Sequence, residues 1–250
     1  MTNNSLKDKI ALVTGASGGI GRAITIALAR EGADLAIHYH KNKKAACETA
    51  EAVQKLGCRA TVVQADITTL GSVEQMYQKI KTELGEIGIL INNAGVLLEK
   101  PIRFMSEAEW DNVVDISLKG AFHCIKCCSA DMSRNRCGRI INISSVAGLT
   151  GDPMRTAYAA AKAGLLGLTK ATARELAASE TTVNAITPGI IETAMTADTP
   201  DAKREKQLGM IPLRRFGTPE EVAELACFLA SRKAAYITGQ IFSVDGGLRM

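Results

Sequence analysis

The sequence predicts a single α/β domain, a doubly wound parallel sheet of about seven strands with helices on both faces. Three observations point there. Short apolar runs alternate with helix-patterned segments along most of the chain. The runs are apolar without alternation, as strands covered on both faces are. The 250 residues contain no linker, repeat or low-complexity stretch. That length suits one large domain or two small ones and is ample for a core.

Taken in order, Ile10–Val13 reads as the first strand, followed by a helical pattern through Ile24, Ala27 and Leu28. Leu35–His38 is strand-like and Ala45–Leu56 helical; Thr61–Gln64 precedes a helix running to about Leu84. Ile87–Ile91, Arg139–Ile143, Thr182–Ile186 and Gln240–Val244 supply the remaining strands. Thr193–Met210 is polar and carries a charged run. It reads either as a lid over a site or as a surface helix pair.

Composition narrows the function classes. Apolar residues make up 46% of the chain, ordinary for a globular protein. No apolar run approaches the roughly 20 residues that span a bilayer. The opening MTNNSLKDK lacks the apolar stretch of a signal peptide, so the cytoplasm is the expected compartment and no membrane partner is expected. The net charge is +4, from 30 basic and 26 acidic residues. The charges are interspersed, with no basic stripe among aromatics, which argues against nucleic acid. Seven cysteines include a Cys124–Cys127 CxxC spacing. That segment reads as a helix without a second ligand pair, so packing thiols are expected rather than a metal site.

Gly15, Gly19 and Gly21 follow the first strand and open a helix, in a GxxxGxG spacing. A helix N-terminus offers unpaired N–H groups and a positive dipole end. A phosphate reaches them only where side chains are missing. A tight packing turn is the alternative. Further motifs converge: Asn92-Asn93-Ala94-Gly95, Ser144-Ser145, Tyr158 with Lys162, Pro188-Gly189-Ile190-Ile191-Glu192-Thr193 and Val244-Asp245-Gly246-Gly247. Together they resemble the short-chain dehydrogenase/reductase family from about Lys9 onward. Ile211–Glu221 and Tyr236–Gly239 resemble its 3-oxoacyl-acyl-carrier-protein reductase branch.

The resemblance implies a Rossmann-like fold and a nicotinamide dinucleotide. Its pyrophosphate would meet the turn formed by Gly15, Ser17, Gly18, Gly19, Ile20 and Gly21. Asp66 and Ile67 would meet the adenine, with Asn93, Ala94 and Gly95 on the adenosine side. Pro188, Gly189, Ile191 and Thr193 would border the nicotinamide. Tyr158 would carry the proton, Ser145 would hold the substrate oxygen with Ser144 as the alternative, and Lys162 would bond the ribose. Tyr158 and Lys162 stand four apart, so on a helix they share one face. A phenol titrates near 10, and a neighbouring ammonium is expected to lower it. Ser117 stands where the family usually has an asparagine that supports a water in the proton relay.

NAD-preferring relatives place an acid at the end of the second strand; here that position is Tyr39. His38, His40, Lys41, Lys43 and Lys44 surround it, with no acid before Glu48, which favours NADP(H). At Gly18, many NADP users carry arginine. The expected substrate is a small-molecule carbonyl or an acyl thioester, with acyl carrier protein as a partner. Arg134, Arg136 and Arg174 lie near the branch's carrier-facing arginines, while Leu97–Ile102 and Arg155-Thr156-Ala157 depart from its pattern. The resemblance also implies a homotetramer, built through helices over Trp110–Arg134 and Ala157–Ser179. An alcohol, sugar or polyketide-type ketone dehydrogenase and a non-catalytic dinucleotide sensor are the competing readings.

Overall fold

The computed structural model describes residues 5–197 and 200–250. Seven strands form one sheet: β1 (Ile10–Val13), β2 (Asp34–Tyr39), β3 (Ala60–Gln64), β4 (Ile89–Asn92), β5 (Arg139–Ile143), β6 (Thr182–Pro188) and β7 (Ile241–Val244). Their order is β3-β2-β1-β4-β5-β6-β7, and every neighbouring pair is parallel. The order reverses between β1 and β4, where an open α/β sheet leaves a crevice at the strands' carboxyl ends.

The parity of β1 shows why the strands are apolar throughout. Ala11 and Val13 join one core cluster, which also holds Ile24 and Leu28 of α1 (Gly19–Arg30), Val53 of α2 (Lys43–Lys55) and Val222 of α10 (Pro219–Ala230). Leu12 joins the opposite cluster, with Ile80 of α3 (Leu70–Glu83), Cys124 and Met132 of α5 (Gly120–Arg134) and Ala173 of α7 (Thr156–Leu176). Alternate residues of one strand thus enter two dry layers.

Three local results refine the sequence reading. The segment Trp110–Arg134 is not one regular helix: α4 (Glu107–Val114) passes through a π turn at Asp115–Lys119 into α5. Such turns insert one residue and re-aim a side chain, here placing Ser117 inward. Thr193–Met210 contains the helix pair α8 (Ala194–Ala197) and α9 (Asp201–Met210); Asp198 and Thr199 of that stretch lie outside the described residues. The sequence reading did not single out α10, although its signals are local. Thr218 and Glu221 form a reciprocal capping box, and Pro219 occupies the first turn.

Cys124 and Cys128 face the core on α5, and burial pushes both thiols up. Among the described residues no helix is long and apolar enough to cross a membrane.

Candidate active site

The crevice at the carboxyl end of the sheet has a volume of about 800 Å³. It brings together Gly15, Ser17, Gly18, Gly19 and Ile20 from the first turn with Asn93, Ala94 and Gly95 after β4. Ser145, Tyr158 and Lys162 line it, as do Pro188, Gly189, Ile191 and Thr193 after β6.

The first turn is held by its neighbours' polar groups. Thr14 Oγ1 accepts from the Asn93 and Ala94 N–H groups, each at 3.0 Å. The Asn93 amide donates to the carbonyls of Thr14 at 2.9 Å and Gly15 at 3.1 Å. Gly15 and Gly19 have φ of 64° and 52°, the left-handed region that glycine enters without strain. Gly18 caps α1 without any side-chain bond, and no acid lies in the first turn. The uncapped N–H groups and positive dipole end therefore face the crevice, a fit for an anionic group. Gly18 meets open space, with nothing within 4 Å of an added Cβ.

Gly21 differs from its neighbours. A Cβ there would stand 2.3 Å from the Gly15 carbonyl oxygen and 2.5 Å from Asn93 Nδ2. It lies outside the crevice lining; its missing side chain lets α1 close onto the turn.

The catalytic corner is built by β5, the four-residue helix α6 (Ala147–Thr150) and α7. The two serines separate by partner. Ser144 is buried and donates to the Lys162 carbonyl at 2.8 Å, which ties β5 to α7. Ser145 accepts from the Ala147 N–H at 3.2 Å and keeps its own proton for the crevice. Lys162 is buried, and its Nζ donates to the Ile143 carbonyl at 2.7 Å. Burial alone lowers its ammonium to about 8. Nζ lies 5.7 Å from the Tyr158 ring centre.

The expected acidified phenol is not what this geometry gives. Burial raises the Tyr158 phenol above its ordinary value, and the Ser145 hydroxyl and the Arg155 charge only partly offset it. The reason is desolvation: removing water penalises the phenolate directly, and Lys162 gives its hydrogen bond to the Ile143 carbonyl rather than to the phenol.

Ser117 does not line the crevice. Its hydroxyl is buried without a partner, and both Ser117 Oγ and Lys162 Nζ come within 3.4 Å of where a Gly95 Cβ would stand. Tyr39, His40, Lys41, Asp66 and Ile67 also lie outside the lining. The Tyr39 side chain is buried in the core, so it offers no phenol to a ribose. His40 and Lys41 are exposed at the end of β2. The Asp66 carboxylate accepts from the Thr68 N–H and hydroxyl at 3.0 and 2.7 Å, bonds that lower its pKa. Ile67 is buried against Gly120.

Other residues emerge only here. His38 is not part of a basic loop. It is buried, its Nδ1 accepts the Gly15 N–H at 3.1 Å, and its Nε2 pairs with the Ala65 carbonyl at 3.1 Å. Burial lowers it to about 4, so it is a neutral brace under the glycine turn. Glu99, Arg155, Lys203 and Gln207 line the other end of the crevice. Their sequence signal is faint, since Lys203 and Gln207 lie more than 40 residues beyond Lys162 and meet it only through the fold.

Comparison with known proteins decides the family. Residues 15–249 match the family model described as enoyl-(acyl carrier protein) reductase. A 3-oxoacyl-(acyl-carrier-protein) reductase of Staphylococcus aureus is 44% identical over 242 residues, covering 97% of this chain and 98% of that one. The chain belongs to the short-chain dehydrogenase/reductase family. Nodulation protein G of a Rhizobium species is 42% identical over 245 residues, with 98% of each chain covered. A solved structure from Sinorhizobium meliloti, provisionally described as a short-chain alcohol dehydrogenase, superposes with a TM-score of 0.94 at 39% identity, covering 98% of each chain. The family assignment makes this chain an oxidoreductase that uses a nicotinamide dinucleotide, and it sets aside the reading as a non-catalytic sensor.

Proposed function

We propose that this short-chain dehydrogenase/reductase reduces the ketone of a 3-oxoacyl thioester to a hydroxyl, with NADPH as the reductant. The observation that carries this reading is geometric: the Tyr158 and Ser145 hydroxyls share one corner of the crevice, with Lys162 Nζ 5.7 Å from the Tyr158 ring centre. A protonated phenol is a general acid, which reduction of a carbonyl requires.

When bound, the dihydronicotinamide supplies the hydride. Tyr158 gives its proton to the ketone oxygen as the carbon is reduced. Ser145 donates to the same oxygen and holds it during the change. With the dinucleotide bound, Lys162 would bond its ribose and would replenish the phenol proton through water near Ser117. Thr193, Pro188, Gly189 and Ile191 would enclose the nicotinamide end, and Gly15, Ser17, Gly18, Gly19 and Ile20 would receive the pyrophosphate. Asp66 and Asn93–Gly95 would take the adenosine side. The family model's description names an enoyl substrate, whereas the relatives of 40–44% identity include named 3-oxoacyl reductases. Two hydroxyls converging on one oxygen suit a carbonyl better than a carbon–carbon double bond.

Preference for NADPH is supported by the absence of an acid at position 39 and by exposed His40, Lys41, Lys43 and Lys44, which would welcome a 2′-phosphate. An acyl carrier protein is the proposed bearer of the thioester. Of the three arginines considered, Arg134 and Arg136 are engaged in ion pairs, which leaves Arg174 for that contact. α8 and α9 form the proposed lid. A cytoplasmic homotetramer is the proposed form, supported by exposed Trp110 and Phe122 on α4 and α5 and by exposed Phe228 and Tyr236.

Following NADPH and NADH oxidation with acetoacetyl-CoA, small ketones and sugars tests the reading. Turnover of acetoacetyl-CoA, at least about tenfold better with NADPH, is expected from one added charge-assisted contact. Turnover of sugars or alcohols alone, in the oxidative direction, would overturn it.

A further inference from the structure

Four buried side-chain polar atoms lack a hydrogen-bond partner among the described residues: Asn92 Oδ1, Ser117 Oγ, Arg139 Nε and Gln207 Oε1. Of these four residues, Gln207 is the one that lines the crevice. It projects from α9, beside charged groups that are already matched. Arg155 donates to Glu99 at 2.9 Å and to Asp152 at 2.8 Å. Lys203 turns to the same Glu99 at 3.3 Å, and Arg204 goes to Glu192 at 2.8 Å. The two bases Arg155 and Lys203 balance the two acids Glu99 and Asp152. Among the described residues this end of the crevice thus has no spare cation for a substrate carboxylate. What it has spare is a carboxamide oxygen.

Gln207 is itself half-exposed, but its buried Oε1 is an acceptor without a protein donor, and such an atom is unfavourable until one arrives. The last torsion of glutamine is soft, so a small rotation presents either the oxygen as acceptor or the nitrogen as donor. The complementary group is neutral and carries both a donor and an acceptor, which describes a secondary amide. A simple ketone offers no donor, and a free 3-oxo acid brings an unmatched negative charge.

We infer that Gln207 is a specificity-determining residue that recognises the amide in the thiol arm of an acyl thioester, and so selects amide-bearing thioesters over simple ketones and free acids. The inference deepens the thioester reading and rests on it. Gln207 touches the arm and not the reacting carbonyl, so its effect falls on KM before kcat.

The probes are two 3-oxobutanoyl thioesters that differ in one group: the N-acetylcysteamine thioester, which has the amide, and the S-ethyl thioester, which does not. Wild-type protein is expected to favour the first by about tenfold in kcat/KM, mostly through KM. Gln207→Leu should bring that ratio close to one while leaving S-ethyl turnover within about twofold of wild type. Gln207→Met serves as a second apolar variant of similar length, and Gln207→Glu, which keeps an acceptor, should retain part of the preference. A wild-type ratio near one, or a ratio that survives both apolar variants, overturns the role of Gln207 while the thioester reading stands. Reduction of simple ketones with neither thioester turned over overturns the thioester reading and this inference together.

Discussion

At the glycine-turn end of the crevice, function comes from leaving side chains out; at the Tyr158 end it comes from burying charge. Around Gly15 and Gly21 the walls are backbone and amide groups, so close that a Cβ at Gly21 would meet the Gly15 carbonyl oxygen at 2.3 Å. Around Tyr158 the walls are side chains whose ionisation is shifted by burial, with Lys162 brought down to about 8. The first end is steric, and its titratable brace is His38. The second is electrostatic and tunable. A substitution that changes only volume should hurt the first, and one that changes only a proton should hurt the second.

The sharpest test removes one oxygen. Tyr158→Phe deletes the proposed proton donor with almost no change in volume. Turnover should fall by about a thousandfold or more, the scale of lost general-acid catalysis, while the Kd for NADPH stays within about twofold. Surviving turnover would break the electrostatic account of this end.

Acid acts next, and on the boundary between the two ends. His38 accepts a proton near 6.5 when unfolded but only at about 4 when folded. The unfolded chain therefore binds more protons as pH falls below 6.5, and stability declines until about pH 4, where the loss saturates. The full loss is on the order of 3 kcal/mol. Denaturant titrations across that window should show a slope that His38→Asn flattens; an unchanged slope would show that His38 is not the neutral brace described.

Smaller still is the steric contrast within the turn. Gly21→Ala should cost about 1–3 kcal/mol through overpacking and weaken cofactor binding. Gly18→Ala, with nothing within 4 Å, should change thermal stability by about 0.5 kcal/mol or less. Equal effects at the two positions would erase the contrast. The same open space leads to the mildest prediction. Gly18→Arg should raise the NADPH over NADH preference by about tenfold, the value of one charge-assisted contact, as read from kcat/KM with each cofactor.

Much of this was legible in the chain. The strands Ile10–Val13 and Arg139–Ile143 stand where their apolar runs placed them, because a strand covered on both faces must be apolar at consecutive positions. The four-residue step from Tyr158 to Lys162 put both on one helix face without knowledge of the fold. What was not legible follows from desolvation and distance. The Lys162 ammonium was expected to acidify Tyr158, but burial of both groups reverses the direction. Tyr39 and His38 stand side by side on β2, yet one packs into the core and the other braces a turn 23 residues away.

The sequence by itself determined the strand and helix alternation, the glycine turn and the placing of Tyr158 and Lys162 on one helix face, since these depend on local periodicity. Tertiary structure decided which of Ser144 and Ser145 keeps a free hydroxyl, which glycine packs and which opens, and that Glu99, Arg155 and Gln207 share one wall. Those outcomes depend on solvent exclusion and on contacts between residues far apart in the chain, and neither exists until the sheet and its two helical layers have closed.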